Sequence, residues 1–153
     1  EIIFDNQLHQ IKSFQKMTEQ PGIKNTLGTE LVNNMPCYVG TKKCIPHDAY
    51  TIFTLLHLLP RLDLTLHHKY KIEREGLLYE ASITDDENVI LLDLNLIDDS
   101  NYVGIIKHTD IFTWAVFKKN SVRKIWLDDT KNHIEKCQFK FGIFTLTAQY
   151  RIK

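Results

Sequence analysis

The sequence predicts an α+β fold: an antiparallel β-meander of seven or eight strands, curved into a bent sheet or a barrel, with two N-terminal helices packed on it. Three observations carry that expectation. The spacing of apolar residues changes from about three to two near position 61. Short polar clusters punctuate everything after it. The first 60 residues instead show helix-like spacing broken by proline and glycine. All of 1–153 reads as one α+β domain, with a helical part at 1–60 and the meander at 61–153.

The first helix is expected from Asp5, whose carboxylate suits an N-cap, through Leu8, Ile11, Phe14 and Met17 to a stop at Pro21-Gly22. A short helical stretch near Thr29 to Asn33 fits the loop-rich segment that follows. The second helix is expected from Pro46 to Leu59, with proline in the first turn, Asp48 opposing the helix dipole and Pro60 as terminator. Its polar stripe of Tyr50, Thr51, Thr54 and His57 is narrow, so most of its surface must be buried.

From Leu62 to Ile72 apolar and polar residues alternate, the pattern of a strand with one wet face. Further strands follow at Leu77 to Ile83, Val89 to Ile97, Tyr102 to His108, Ile111 to Lys118 and Val122 to Leu127. In the last segment, Glu135 to Ile152, the alternation slips one step beside Gly142, as a bulge or tight turn would make it. The clusters Asp85 to Asn88, Asp98 to Asn101, Asn120-Ser121 and Asp128 to Thr130 are turn chemistry, and links this short join antiparallel neighbours. The central strands are apolar on both sides, so both must be covered, and any apolar surface left bare is a docking site.

Composition narrows the function classes. Nineteen basic and nineteen acidic side chains cancel. That balance argues against a dedicated nucleic-acid binder, whose affinity comes from neutralising phosphates. Lys118, Lys119, Arg123 and Lys124, with Phe117 and Trp126, are the local exception. No apolar run approaches the ~18 residues of a membrane span. The three cysteines, Cys37, Cys44 and Cys137, are too few for a disulfide framework, and no Asn-x-Ser/Thr acceptor occurs. Both favour an intracellular, cytoplasmic or nuclear, location, with one bridge plus a free thiol as the alternative. The chain opens at Glu1, and the expectation is a piece of a longer protein.

No phosphate-binding glycine loop, nucleophile elbow, zinc-protease helix or dinucleotide fingerprint occurs, so no cofactor is expected. Cys44-x-x-His47 with His133-x-x-x-Cys137 has the donors of a zinc site, but the two halves are far apart in sequence. A core cysteine with surface histidines is the preferred reading, and no metal is assigned. His67 and His68 point to opposite faces of a strand and cannot easily share an ion. Cysteine catalysis through Cys37 or Cys44 has no recognisable signature. Asp85-Asp86, Asp110 and Asp128-Asp129 would share one end of a strict meander and raise calcium, although aspartate is ordinary turn chemistry. Glu73, Glu75 and Glu80, interleaved with Lys71 and Arg74, read as a solvated face.

The leading expectation is a non-enzymatic protein-interaction module, its partner another protein or another part of the same chain. The alternative is a carrier of a small apolar ligand inside a closed barrel, with Tyr70, Tyr102, Trp114 and Phe139 lining the pocket. An enzyme ranks third.

Overall fold

The computed structural model describes residues 1–5, 10–64, 69–86, 89–97, 104–128, 130 and 132–149. After position 68 the two-residue rhythm is that of a meander. Strands β6 (Lys69–Arg74), β7 (Leu77–Asp86), β8 (Val89–Leu96), β9 (Val122–Leu127), β10 (Ile134–Phe141) and β11 (Phe144–Gln149) lie in chain order, each antiparallel to the next. A two-residue strand β5 (Ala49–Tyr50) adds to β6 in parallel. The step at Gly142 is a tight turn: the glycine has φ +57, and Phe141 pairs with Phe144. The seven-stranded sheet is open, with β11 and β5 as its edges, so of the two expected forms, bent sheet or barrel, the barrel does not form.

The N-terminal expectation is corrected. Residues 2–38 form a separate four-stranded antiparallel sheet, β1 (Ile2–Asp5), β2 (Gln10–Gln20), β3 (Ile23–Val32) and β4 (Met35–Tyr38). The helix expected over Asp5 to Met17 is therefore strand where it is described, and the stretch Thr29 to Asn33 runs through the end of β3. The three-residue spacing has a physical source in the β1–β2 ladder: Ser13 pairs with Ile3 and Ile11 with Phe4, so Lys12 is an extra, bulged residue that moves the inward face on by one step. Thr29 Oγ1 accepts from the Phe14 backbone N–H and donates to the Phe14 carbonyl, displacing the ladder partner at that point. Regular pairing with β3 begins only at Gln15. With Lys12 bulged, the inward positions step from Ile11 to Phe14 and then to Thr18, which imitates a helical stripe.

Helix α1 is Ile52–Leu58, shorter than Pro46 to Leu59. Thr51 and Thr54 form a reciprocal capping box that fixes its start, and Leu59–Arg61 tightens into a 3-10 turn at Pro60. The strand expected at Ile111 to Lys118 is helix α2 (Ile111–Phe117). Its β-branched and aromatic residues favour strand, and its ends overrule them. Asp110 caps the N-terminus by accepting from Thr113 N at 2.8 Å. At the other end Arg123 of β9 donates to the carbonyls of Val116, Ser121 and Lys118, while Ser121 Oγ reaches Ala115 O. Of the strand expected at Tyr102 to His108, Gly104 to His108 is irregular and the rest lies outside the described residues. The strand expected from Leu62 begins at Lys69; Leu62 to Leu64 is not strand, and 65–68 lie outside the described residues.

Two apolar cores result. The larger packs α1 and α2 on one face of the meander, around Leu55, Ile72, Ile90, Val116, Ile125 and Phe139. The smaller lies under the first sheet, around Ile11, Phe14, Leu27, Tyr38 and Ile45, with Leu78, Ile105 and Ile106 packed against it. Cys37 and Cys44 form a disulfide that closes the loop after β4. With Cys137 buried as a free thiol, this is the arrangement of one bridge plus a free thiol. Among the described residues no helix is long and apolar enough to cross a membrane.

Candidate functional site

The two sheets meet at a buried polar junction. The β6–β7 turn is Glu75-Gly76, both with positive φ (51 and 83). Glycine adopts this freely, whereas glutamate holds it at a cost of about 1–2 kcal/mol. That turn carries Glu75 under the first sheet, where Lys16 of β2 meets it. The Lys16 ammonium lies 2.5 Å from Glu75 Oε1, 2.6 Å from Asp110 Oδ2 and 2.8 Å from Thr109 Oγ1. Thr109 in turn donates to Glu75 Oε1 at 2.6 Å. Glu73 accepts from Tyr38 Oη at 2.7 Å and from Gly76 N at 2.6 Å.

Glu73 and Glu75 are only 4% and 3% exposed, so the solvated face expected of them is corrected. Glu80 alone stays near the surface, paired with Lys69. Nothing local in the sequence marks the burial, because the cover comes from a sheet more than thirty residues upstream.

Burial pushes the Glu73 carboxyl up to about 7. Burial also raises the Tyr38 hydroxyl, so it remains a donor. Asp110 goes the other way: burial opposes ionisation, but hydrogen bonds from Lys16 and Thr113 hold it at about 2. Arg74 Nε is buried without a hydrogen bond, 3.5 Å from Glu75 Oε2, and its guanidinium lies over the Phe117 ring. The cavity among Lys16, Glu73, Arg74, Glu75 and Thr113 is about 20 Å³, the room of one water. The ion pairs and hydrogen bonds of the junction tie the two sheets together.

A different surface is open. On the far edge of the meander a groove of about 280 Å³ runs between α2 and the β10–β11 hairpin, lined by Ile111, Trp114, Phe141, Phe144 and Leu146. Ile111 is 59% exposed, Trp114 41%, Phe144 63% and the neighbouring Ile143 92%. Trp114 meets Phe141 edge-on at 4.8 Å, and Phe141 stacks on Phe144 at 5.7 Å, so the rings form one continuous wall. Alongside runs β11, sequence Phe-Thr-Leu-Thr-Ala-Gln, with neither charge nor proline. No described strand pairs with its outer side.

Of the expected ligand residues, Trp114 lines this groove and Phe139 lies buried beneath, against Phe112 of the same helix. Tyr70 sits four strands away on β6, packed on Tyr50. Tyr102 lies outside the described residues. The four therefore do not line one pocket. The zinc candidates are dispersed too. Cys44 is in the disulfide, His47 is exposed, Cys137 is buried with its thiol pushed up to about 11, and His133 pairs with Asp128. Among the described residues no three His, Cys, Asp or Glu side chains converge as a metal site requires. His67, His68 and Asp129 lie outside the described residues. Asp128 is spent on its own turn, accepting from Thr130, Asn132 and His133. Of the basic cluster, Arg123 is buried on the end of α2 and Phe117 is buried as well, which leaves Lys118, Lys119 and Lys124 exposed.

No family model, curated protein or solved structure matches this chain. Fold and site define it as an open β-meander with a capping sheet and an apolar edge that no strand among the described residues pairs.

Proposed function

We propose that this chain is a protein-interaction module that takes up an extended segment of another protein along β11. The observation that carries the reading is the edge itself. Natural sheets blunt their edges with charge, proline, bulges or brevity, because an open edge pairs with any strand it meets. The other edges obey: β5 has two residues, β1 and β4 four each, and β4 contains Pro36. β11 has six residues, no blunting side chain, and an apolar groove beside it. Main-chain pairing supplies affinity in strand addition, and a flanking groove supplies selectivity. A small apolar ligand has no barrel lumen to occupy, since the sheet is open.

The test is reconstitution. A partner captured with the native chain is identified, purified and titrated against native, Ile111→Glu and Phe144→Glu proteins. Both positions are exposed, so Ile111→Glu keeps its stability to within about 0.5 kcal/mol, and Phe144→Glu loses about 0.5–1.5 kcal/mol with its stacking on Phe141. Loss of binding in both is expected. A partner that binds all three equally refutes the reading.

A further inference from the structure

We infer that the segment received by β11 alternates apolar and acidic residues. The inference rests on strand addition and follows from the two faces that an added strand would meet. A new strand lies about 4.8 Å from β11, and its side chains alternate between those faces. On one face the register sets Phe141 beside Phe144 and Phe139 beside Leu146, below Trp114 and Ile111. Side chains entering there must be apolar.

The other face differs in kind. β11 presents Thr145, Thr147 and Gln149, all uncharged. Behind them on β10 stand Lys140, Gln138 and Lys136, and behind those on β9 Val122, Lys124 and Trp126. The paired positions of this face therefore carry three lysines and no acid. Lys140, opposite Thr145, would lie two strand spacings, about 10 Å, from an incoming strand, whereas Lys136 is drawn towards β9 over the Trp126 ring. A lysine leaning over a threonine can meet a glutamate reaching back across that distance. Lys118, over the Trp114 ring at 5.2 Å, adds positive charge at the groove mouth.

The same charges argue against a second copy of this chain as occupant. A twin β11 would offer Thr145, Thr147 and Gln149 to this face and no acid to answer the lysines. The lysine row is a poor stacking platform for bases, because Lys136 Nζ covers the Trp126 ring at 4.5 Å.

The probes are ten-residue peptides alternating valine with glutamate, with serine or with lysine, titrated into the full chain by fluorescence anisotropy. Amide exchange of 144–149 is read in parallel. The valine–glutamate peptide is expected to bind ~3–10-fold more tightly than valine–serine at low salt, from partly exposed ion pairs. That advantage should vanish in 1 M salt, where the screening length is about 3 Å. It should vanish in Lys140→Glu too, and the β11 amides should be protected. Equal binding of the glutamate and serine peptides overturns the acidic half of the inference and leaves the groove intact. Binding without protection of β11 overturns strand addition itself. Failure of every peptide, while a reconstituted partner still depends on Phe144, overturns this inference and spares the proposed function. A single-stranded oligonucleotide that binds in a Lys140-dependent way, with no peptide binding, overturns it in favour of nucleic acid.

Discussion

Replacing Lys16 by methionine probes the junction between the sheets. Methionine keeps much of the length and the apolar stem, and removes only the ammonium. Asp110, with 21% of its side chain exposed, retains Thr113 N and some water. Glu75, with 4%, retains only Thr109 Oγ1 at 2.6 Å and Arg74 Nε at 3.5 Å. Removing one partner of a buried pair costs about 3–5 kcal/mol, and the two remaining contacts put this case near ~3. For a chain of this length that lowers Tm by ~6–12 °C. Urea unfolding measures the loss directly, and the double variant Lys16→Met with Glu75→Gln should recover ~1–3 kcal/mol, because it removes the orphaned charge. A loss below ~1 kcal/mol for Lys16→Met, or no recovery in the double variant, refutes the claim that this ion pair clamps the sheets.

Glu73 sets a pH dependence. Its folded carboxyl titrates at about 7 against an ordinary 4.5, so the fold binds more protons in that window. Its contribution is full below about pH 4.5 and is lost as pH rises to about 7, a change of ~3 kcal/mol. Thermal melts across this range should show the slope in the native chain and lose it in Glu73→Gln. Asp110 acts in the opposite sense: its contribution is present above its ordinary 3.8 and is lost as pH falls towards 2, a limb that should flatten in Asp110→Asn. Reducing the Cys37–Cys44 bridge, which spans a separation of 7 residues, should cost ~2–3 kcal/mol by loop entropy, read as the Tm difference with and without reductant. Gly76→Ala places a Cβ 2.7 Å from Lys43 Cδ and 2.9 Å from Ile105 Cδ1 at φ +83, whereas Gly22→Ala at φ +77 meets nothing within 4 Å. The second should cost about 1–2 kcal/mol for the left-handed backbone alone, and the first clearly more in the same unfolding assay.

The meander was legible because alternation depends only on neighbouring residues and one buried face. Val122 to Leu127 is β9 as expected, and the slip at Gly142 is the last turn. Legibility failed where tertiary contacts override local preference. A bulge at Lys12 in the β1–β2 ladder moves the inward face of β2 by one step and gives a strand the spacing of a helix. Asp110 and Arg123 turn the strand-prone Ile111–Phe117 into a helix by satisfying its ends. Lys16 and Glu75 meet only because a separate sheet folds over the β6–β7 turn, and no local pattern announces that. The charge-free run of β11, by contrast, was visible in the sequence, but it acquires meaning only once β11 is known to be an edge.

Helix α2 is held at both ends: Asp110 is tied to Lys16 across the junction, and the carbonyls of its last turn are bound by Arg123 from β9. The Trp114 side of the groove is therefore preorganised before any partner arrives. In the proposed docking, this side of the groove would need no further ordering, a saving of about 0.5–1.5 kcal/mol for each side chain already immobilised. A charge clamp buried between two sheets would thus bear on how tightly the proposed, remote docking surface binds.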